Sequence, residues 1–442
     1  MSFDRRRFLS ASAAALAAPY VRSSRAAGSL SVGFWDHWVP RANDGLTKLC
    51  NEWAAKEKVD LKIDYITSQG NKLLLTITAE AQAKAGHDVI SVYSWYAAGH
   101  GPLLEPVDDV VQPLIAQYGN PPGAIEYLGK QNGHWIGVPA TCGSQMKGPC
   151  ARVDLFKQYA GIDLTKMYPP GAPADKQLAD KWTWEAFLVA AQKCHKAGFP
   201  FGIGMGETAD SVDSAGAIFA AHGAHLVDAQ GNITVNSDAT RQALDYCKKL
   251  VQVLPPDVFA WDDASNNKWL IAGKGALIMN PPSAWAVAKR DNPKVAEQLW
   301  TFPAPKGPKG RFQPAGPFYW GIWKFSKNKA AARSLLTYLS QRSSVEQLVT
   351  ASAGYDVPSF PALRDFEIWA EVGPPKGTLY HYPPRGDEIL SISGAPAPVP
   401  VAMQMYTQAT ITKMIAKFTQ SNESMDKVIA WASSELEGFM RA

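Results

Sequence analysis

Residues 315–325, AGPFYWGIWKF, place five aromatic side chains within eleven positions. A Gly-Pro pair precedes the aromatic run, and the segment that follows it, SKNKAAARSLLTYL, is typical of a helix. Such a run fits two interpretations: a strand buried in a core, or a surface that holds a ligand. The rest of the sequence is needed to decide between them.

The Gly-Pro pair predicts a turn, because proline fixes φ and glycine admits positive φ. We expect Phe318 and Tyr319, directly after this turn, to form part of a ligand wall. From Trp320 onward the run is typical of a strand, in which alternate side chains point to opposite faces. Trp323 and Phe325 then share one face and are expected to lie in the core.

Residues 1–26 have the pattern of an export signal. A basic segment, RRRFL at residues 5–9, leads into an alanine-rich apolar stretch that is too short to span a bilayer. The segment resembles a twin-arginine signal, and an ordinary secretory signal is the alternative. We expect cleavage near Ala26/Ala27. No cysteine follows the apolar stretch, so we expect no lipid anchor and a mature protein that is free in the periplasm.

The charge balance excludes one class of function. The formal charge is +4, but the expected signal holds five arginines and one aspartate, so its removal brings the charge to 0. The remaining aromatic runs are not interleaved with arginines, as they would be in many nucleic-acid-binding proteins. We therefore expect no nucleic-acid partner. No later segment is apolar enough for a transmembrane helix.

Five cysteines follow the signal, so at least one thiol is free. Cys142 and Cys150 bracket a short segment and could form a disulfide in an oxidising compartment. Cys194 and Cys247 lie in apolar helical patterns and are expected in the core. No C-x-x-C pattern occurs, which argues against a zinc knuckle, a redox dithiol or a c-type haem. We expect no cofactor and no metal.

The mature chain opens as strand, helix, strand, helix, strand. The strands LSVGFWDHW and VDLKIDYIT are followed by HDVISVYSW, a nearly continuous apolar run that is typical of a parallel sheet covered on both faces. This alternation predicts α/β winding with right-handed crossovers. A second α/β region follows, and residues 304–317, dense in Gly and Pro, are the strongest linker signal. The aromatic runs lie where strands should end, which is where open α/β sheets bind ligands.

The chain resembles the extracellular solute-binding proteins of ABC importers, in the branch that includes the maltose-binding protein. The resemblance covers the mature chain and rests on the order and spacing of several segments. They are GVPATCGSQM, WTWEAFLVAAQK, AGKGALIMNPPSAW, FPAPKGPKG, GPFYWGIWKFSKNKAAARSLLTYLS and GYDVPSF.

The resemblance implies an α/β fold of the periplasmic-binding-protein type II kind. Two α/β lobes are joined by multiple crossover segments, with a ligand cleft between them. The implied division places residues 27–140 and 306–350 in lobe 1, and 141–305 and 351–442 in lobe 2. It also implies a monomer that captures a small polar solute, most simply a sugar or polyol, by cleft closure. The importer's membrane permease would then be its partner.

Carried over to this sequence, the resemblance implies a set of ligand-binding residues near the ends of strands and at the crossings, and no catalytic residue. The set is Trp35, Asp36, His37, Trp95, Tyr96, Gln145, Asn280, Ser283, Trp285, Gly316, Phe318, Tyr319 and Tyr355. These residue types suit a sugar or polyol, because apolar ring faces stack on aromatic plates while carboxylates and amides bond hydroxyls.

Two alternatives stay open. A secreted carbohydrate-active enzyme would need two carboxylates facing the scissile bond, and Asp36 and Asp263 are the candidates. A twin-arginine redox enzyme lacks support, because no Gly-x-Gly-x-x-Gly and no haem motif is present. For a binding protein, the ligand could be a sugar, a polyol, a glycerol phosphate or a small peptide. The lack of an Arg or Lys cluster among the predicted residues argues against a phosphate.

Overall fold

The computed structural model describes residues 28–39, 41–371, 373, 375 and 381–441. The predicted export signal and its cleavage position lie outside the described residues. Twelve strands occur in the described part of the chain: β1 (Ser29–Trp35), β2 (Asp60–Ile66), β3 (Val89–Tyr93), β4 (Lys130–Gln131), β5 (His134–Trp135), β6 (Val138–Met146), β7 (Pro149–Arg152), β8 (Leu277–Met279), β9 (Leu299–Thr301), β10 (Lys306–Gly307), β11 (Gly310–Ile322) and β12 (Glu388–Ser391).

Helices cover both sheets and form most of the C-terminal part. Those within the described ranges are α1 (Ala42–Glu57), α2 (Lys72–Ala83), α3 (Trp95–His100), α4 (Asp108–Tyr118), α5 (Gly123–Gly129), α6 (Val153–Leu155), α7 (Leu164–Met167), α8 (Lys176–Ala179), α9 (Trp184–Lys196), α10 (Ala209–His222), α11 (Asp238–Val251), α12 (Ser265–Ile271), α13 (Ser283–Asp291), α14 (Pro293–Ala296), α15 (Lys329–Leu339), α16 (Arg342–Ala351), α17 (Ile368–Glu371), α18 (Val399–Thr407), α19 (Thr410–Thr419) and α20 (Met425–Arg441). None of them is long and apolar enough to cross a membrane.

The larger sheet has the strand order β10-β11-β3-β1-β2, with β6 and β12 also paired to β11. Strand β1 is parallel to both β2 and β3, and helices α1 and α2 form the two crossovers. All five residues of β3 are buried, as expected for a strand that is covered on both faces. The predicted α/β fold class is confirmed.

Strand β11 runs through the middle of the molecule. Residues 311–314 pair with β12, residues 315–320 pair with β6 on one side, and residues 318–322 pair with β3 on the other. The predicted linker at residues 304–317 is therefore wrong over residues 310–317. Both prolines of the strand fit the sheet because their carbonyl oxygens accept bonds: Pro314 O from Lys147 N at 2.8 Å, and Pro317 O from Ser94 N at 2.9 Å. Pro317 also lies at the register shift between Gly316 and Phe318, where a strand tolerates a missing N–H.

The smaller sheet has the order β8-β7-β9, and all its pairs are antiparallel. Only Lys147 and Gly148 separate the end of β6 in the larger sheet from the start of β7 in the smaller one. The segment at residues 354–357 returns beside this point, because Val357 N donates to Ser144 O at 2.8 Å. Two sheets joined by several crossings fit a two-lobed chain, while the lobe boundaries at 140/141, 305/306 and 350/351 stay predictions.

All five cysteines are buried free thiols. The disulfide considered for Cys142 and Cys150 is therefore absent. Burial raises the pKa of Cys50 and of Cys150 to about 12, and that of Cys194 to about 11. Thiols with such pKa values hold little thiolate near neutral pH, so these residues serve as small apolar groups in the core.

A partly buried polar chain ties α2 to β2 and to the residue that follows β11. The Glu80 carboxylate contacts His87 Nδ1 at 2.5 Å and accepts a hydrogen bond from Trp323 Nε1 at 2.9 Å. On its other side, His87 Nε2 lies 3.1 Å from Asp64 Oδ2. The hydrogen bond to Glu80, reinforced by both carboxylates, raises the pKa of His87 above its usual value despite partial burial. Trp323 is fully buried, so its predicted core position is confirmed.

We expect His87 to stabilise the fold most at low pH. Since its pKa is higher in the folded chain than in the unfolded one, its contribution is complete below about pH 6.5 and is lost as the pH rises through the folded pKa. Urea unfolding of His87→Gln should show a larger loss of stability at about pH 5.5 than at about pH 8.5. His195→Gln is the control, because among the described residues the His195 ring has a hydrogen bond only to the neutral carbonyl of Val253. Equal losses at both pH values would contradict the assignment.

Candidate ligand-binding cleft

A cleft lies where the ends of β1 and β3 meet the first turn of α10. One side comes from the larger sheet and the segment that leads into α2. The other side comes from the start of α10 and from the segments before α12 and after β8. Its lining residues are Trp35, Trp38, Ser68, Asn71, Leu73, Leu74, Tyr93, Gln145, Lys147, Ala209, Asp210, Asp263, Asn280, Phe318 and Tyr355.

Aromatic rings form one wall of the cleft. The centroid of the Phe318 ring lies 5.1 Å from that of Trp35 and 5.0 Å from that of Tyr93. Trp35 in turn stacks on Tyr355 at 6.5 Å. Trp35 and Tyr93 are the last residues of their parallel strands, so the sheet brings both to the same edge. The wall is preorganised, because each ring packs against neighbouring rings.

A bulge in β11 sets the orientation of Phe318. The pairing of β11 with β6 shifts register between Gly316 and Phe318, and Phe318 N bonds the Ser144 hydroxyl at 2.9 Å. Gly316 itself backs the wall, since a Cβ at this position would lie 2.7 Å from the Tyr93 hydroxyl oxygen.

The expected position of Tyr319 at the mouth of the cleft is wrong. Tyr319 is fully buried, and its hydroxyl donates to Ile125 O at 2.6 Å. The reason is strand phase. The strand already begins at Gly310, so the neighbouring side chains of Phe318 and Tyr319 point to opposite faces.

A buried ion cluster forms the floor of the cleft. Lys147 is 1% exposed, and its Nζ lies 2.6 Å from Asp210 Oδ1 and 2.8 Å from Asp213 Oδ2. The Tyr93 hydroxyl donates to the same Asp213 oxygen at 2.8 Å. Burial lowers the pKa of Lys147, but the charges of Asp210 and Asp213 outweigh it and hold that pKa well above its usual value. Lys147 is therefore a charged group that binds the crossing segment to β3 and α10.

A third carboxylate, Asp263, lies beside this cluster. Asp263 Oδ1 accepts a hydrogen bond from Asp210 N at 3.2 Å, and Asp210 Oδ2 accepts one from Asn266 Nδ2 at 3.1 Å. Burial and the negative charge of Asp210 raise the pKa of Asp263 to about 6. Two carboxylates thus face the cleft from the side opposite Trp35.

Two buried polar atoms of the lining have no hydrogen-bond partner among the described residues. They are Gln145 Oε1 and the Tyr355 hydroxyl. A buried polar group without a partner costs free energy, and native structures rarely keep one without a ligand or a water to satisfy it. These atoms mark positions where a polar ligand can bind.

Asn280 lines the cleft, and Ser283 stands one step behind it. Asn280 Nδ2 donates to Asn267 Oδ1 at 2.8 Å, and Asn267 Nδ2 donates to the Ser283 hydroxyl at 3.0 Å. Ser283 therefore supports an amide network rather than lining the cleft.

His37 and Asp36 lie beside the cleft and have structural partners. His37 Nδ1 accepts a hydrogen bond from Val39 N at 2.9 Å, so it is Nε2 that donates to Asp356 Oδ1, at 3.0 Å. This bond joins the end of β1 to the last crossing segment. The Asp36 carboxylate accepts from Asn43 Nδ2 at 2.7 Å. Neither residue belongs to the cleft lining.

Three further predicted residues lie outside the lining. Trp95 is fully buried, and its indole donates to Ser393 O at 2.8 Å. Tyr96 stacks on His100 with ring centroids 5.9 Å apart. Trp285 belongs to a separate apolar cluster, where Lys289 Nζ lies 4.6 Å from the ring centroid.

Comparison with known proteins identifies the family. The family model described as "Bacterial extracellular solute-binding protein" matches residues 40–344. The chain belongs to this family. A relative from Deinococcus radiodurans, named "Probable ABC transporter-binding protein", is 26% identical over 238 residues, which is 50% of this chain and 53% of the relative. The chain thus matches about half the length of this curated relative.

Solved structures confirm the type of fold. The maltose-bound MalE3 of T. maritima has a TM-score of 0.74 at 17% identity, covering 93% of this chain and 99% of that one. An ABC transporter solute-binding protein from Agrobacterium vitis with bound D-mannitol has a TM-score of 0.68 at 18% identity, covering 94% and 98%. The predicted periplasmic-binding-protein type II architecture is confirmed by this likeness.

Five of the predicted ligand residues of this solute-binding protein come together in the cleft, namely Trp35, Gln145, Asn280, Phe318 and Tyr355. Their contact with a ligand stays a prediction. Sequence analysis did not select Lys147 or Asp210, and it considered Asp263 only for an enzyme. Lys147 had a detectable signal, since it is a lone cation within the apolar crossing segment GVPATCGSQMKGPCA. Asp210 had a weaker signal, an acid in the first turn of a helix capped by Thr208.

Removing the charge of Lys147 should destabilise this solute-binding protein. Lys147→Met leaves Asp213 buried without a cation, and breaking a buried pair in this way costs about 3–5 kcal/mol. Urea unfolding of the unliganded protein measures the loss. The double variant Lys147→Met with Asp213→Leu should recover part of it, since no unpaired charge then stays buried at that position. A single variant with wild-type stability would contradict the assigned role.

Proposed function

We propose that the protein is the substrate-binding component of an ABC importer, and that it captures a sugar or a polyol. One observation carries the proposal. A single cleft combines an aromatic wall with unpartnered polar atoms on Gln145 and Tyr355 and with the carboxylates of Asp210 and Asp263. The name of the Deinococcus relative supports the importer context, and the maltose and D-mannitol complexes among the structural neighbours support this ligand class.

Different residues of the cleft bind different parts of the ligand. The faces of Trp35 and Phe318 take the apolar face of the ligand, since sugar rings and polyol chains present C–H groups on one side. The Tyr355 hydroxyl and Gln145 Oε1 bond ligand hydroxyls and regain the hydrogen bonds that they lack in the described structure. The two sides of the cleft come from different segments: one from the larger sheet and α2, the other from α10, the segment before α12 and the end of β8. Binding therefore draws them together by hinge closure, and the permease recognises the closed form.

A binding role is favoured over catalysis. A glycosidase needs two carboxyl groups roughly 5–9 Å apart on either side of the scissile bond. Asp36, one of the two candidates, is bonded to Asn43 and lies outside the lining. Asp210 and Asp263 are joined by a hydrogen bond from Asp210 N to the Asp263 carboxylate, so they stand on the same side of the cleft. We propose that the protein carries out no chemical step on its ligand.

The proposal extends to export and assembly. The RRRFL segment at residues 5–9 supports export by a twin-arginine route, with cleavage near Ala26/Ala27. The protein then works as a monomer in the periplasm without a lipid anchor, and its partners are the ligand and the membrane permease. Family membership supports an exported protein.

Phe318→Ala should weaken binding, and since the buried ring also packs on Trp35 and Tyr93, thermal melting of the unliganded variant checks that it is still folded. The test is a thermal-shift screen of neutral sugars and polyols, followed by calorimetric titration of the best ligand, because a ligand stabilises by mass action. Loss of the Phe318 ring should cost about 1–3 kcal/mol of binding free energy. Tyr319→Phe is the control, since its hydroxyl lies behind the sheet and its loss should leave affinity unchanged.

Three results would each contradict a different part of the proposed function. Stabilisation by no sugar or polyol would overturn the ligand class. Equal losses of affinity in both variants would overturn the position of the wall. Release of a shortened oligosaccharide, detected by mass spectrometry, would replace binding with catalysis.

A further inference from the structure

Negative charges outnumber positive charges in the cleft. Asp210 and Asp263 belong to the lining, and Asp213 lies directly behind Lys147. Among the described lining residues, Lys147 carries the only positive charge. Lys72 lies between the lining residues Asn71 and Leu73 in the sequence, but its side chain is exposed and is not part of the lining. With every group ionised, the floor holds one cation against three anions.

The positive charge of Lys147 is not available to a ligand. Its ammonium is 1% exposed, pairs with Asp210 and Asp213, and also donates to the Tyr93 hydroxyl at 3.1 Å. These three partners use all three N–H groups of a lysine. An anionic ligand such as a sugar phosphate would therefore meet carboxylates in the cleft without a free cation to compensate them.

Asp263 differs from the other two carboxylates, because it has no ion pair among the described residues. Its hydrogen-bond donors are neutral: the backbone N–H of Asp210 at 3.2 Å and the side chain of Thr208. Although burial and Asp210 raise its pKa to about 6, Asp263 is mostly ionised at about pH 7.5. The charge of Lys147 acts on Asp263 from a distance and lowers its pKa, but no cation contacts Asp263 among the described residues, so a ligand can supply that contact.

A second observation points to the same ligand from the opposite wall. The Tyr355 hydroxyl is buried and unpartnered, and the rings of Trp35, Trp38 and Phe318 face the cleft beside it. Aromatic faces attract cations and also stack on the C–H groups of a sugar. The carboxylate side thus favours a positive charge, and the aromatic side accepts a polyhydroxylated ligand that carries one.

We infer that the cleft selects a polyhydroxylated ligand that carries a protonated amine, an amino sugar or an amino alditol, with its ammonium group at Asp263. This inference rests on the proposed function and narrows its ligand class. It also places sugar phosphates and sugar acids outside that class.

Matched ligand pairs test the inference. Calorimetric titrations at about pH 7.5 and low salt compare D-glucosamine with D-glucose, and 1-amino-1-deoxy-D-glucitol with D-glucitol. D-Glucuronate serves as the anionic member. On at least one scaffold, the amine should bind at least about tenfold more tightly than its neutral counterpart, which is about 1.4 kcal/mol. D-Glucuronate should bind more weakly than D-glucose.

Substitution of the carboxylate tests its role. Asp263→Asn should bring the affinities of the amine and the neutral ligand to within about threefold of each other, since the Coulomb attraction is removed. Asp245→Asn is the control. Asp245 is exposed on α11, so this substitution removes the same charge at a distance from the cleft. Thermal melting of both variants checks that the fold is intact.

Each other outcome overturns the inference. Neutral ligands that bind as tightly as their amine counterparts would reject it while supporting the proposed sugar or polyol function. Full preference for the amine in Asp263→Asn would reject the assigned carboxylate. If neither amine binds, the inference fails, and the neutral screen described above decides separately on the proposed function.

Discussion

The buried contact between Lys147 and two aspartates is the interaction on which the rest of the cleft depends. Lys147 stands in the short segment between the two sheets, and it bonds Asp210 and Asp213 in α10 as well as the Tyr93 hydroxyl at the end of β3. A lysine with so little exposure is stable as a cation only when its partners compensate the loss of water. Those partners come from both sides of the cleft. The contact therefore fixes where the sides meet, and it leaves Asp263 as the lining carboxylate with no ion pair among the described residues.

Strand β11 supplies part of the aromatic wall on the opposite side of the cleft. Its bulge between Gly316 and Phe318 turns the Phe318 ring toward Trp35 and Tyr93, while the next side chain, Tyr319, packs behind the sheet. The aromatic run at residues 315–325 therefore fits both interpretations, a strand buried in a core and a surface that holds a ligand. Alternation divides it residue by residue between a ligand wall and the core.

Sequence analysis predicted the α/β fold and the crossings because both depend on local patterns, such as the apolar run of β3. It also selected Trp35 and Phe318, which line the cleft, and Trp35 stands at a strand end, where open α/β sheets bind ligands. It failed for Trp95 and Trp285, whose large apolar surfaces fit a core as well as a cleft. Lys147 and Asp210 were not predicted because their role depends on an ion pair between residues that are distant in sequence. A single sequence does not reveal such a contact. The error at Tyr319 came from starting the strand too late.

The most direct test of the central claim is a crystal structure of the protein with the tightest ligand from the sugar and polyol screen. The account predicts ligand density between Phe318 and Asp263, with hydroxyls within hydrogen-bond distance of Gln145 Oε1 and the Tyr355 hydroxyl, and with Lys147 still paired to Asp210 and Asp213. Ligand density outside this cleft, or a ligand bonded to a Lys147 that has left its aspartates, would contradict it.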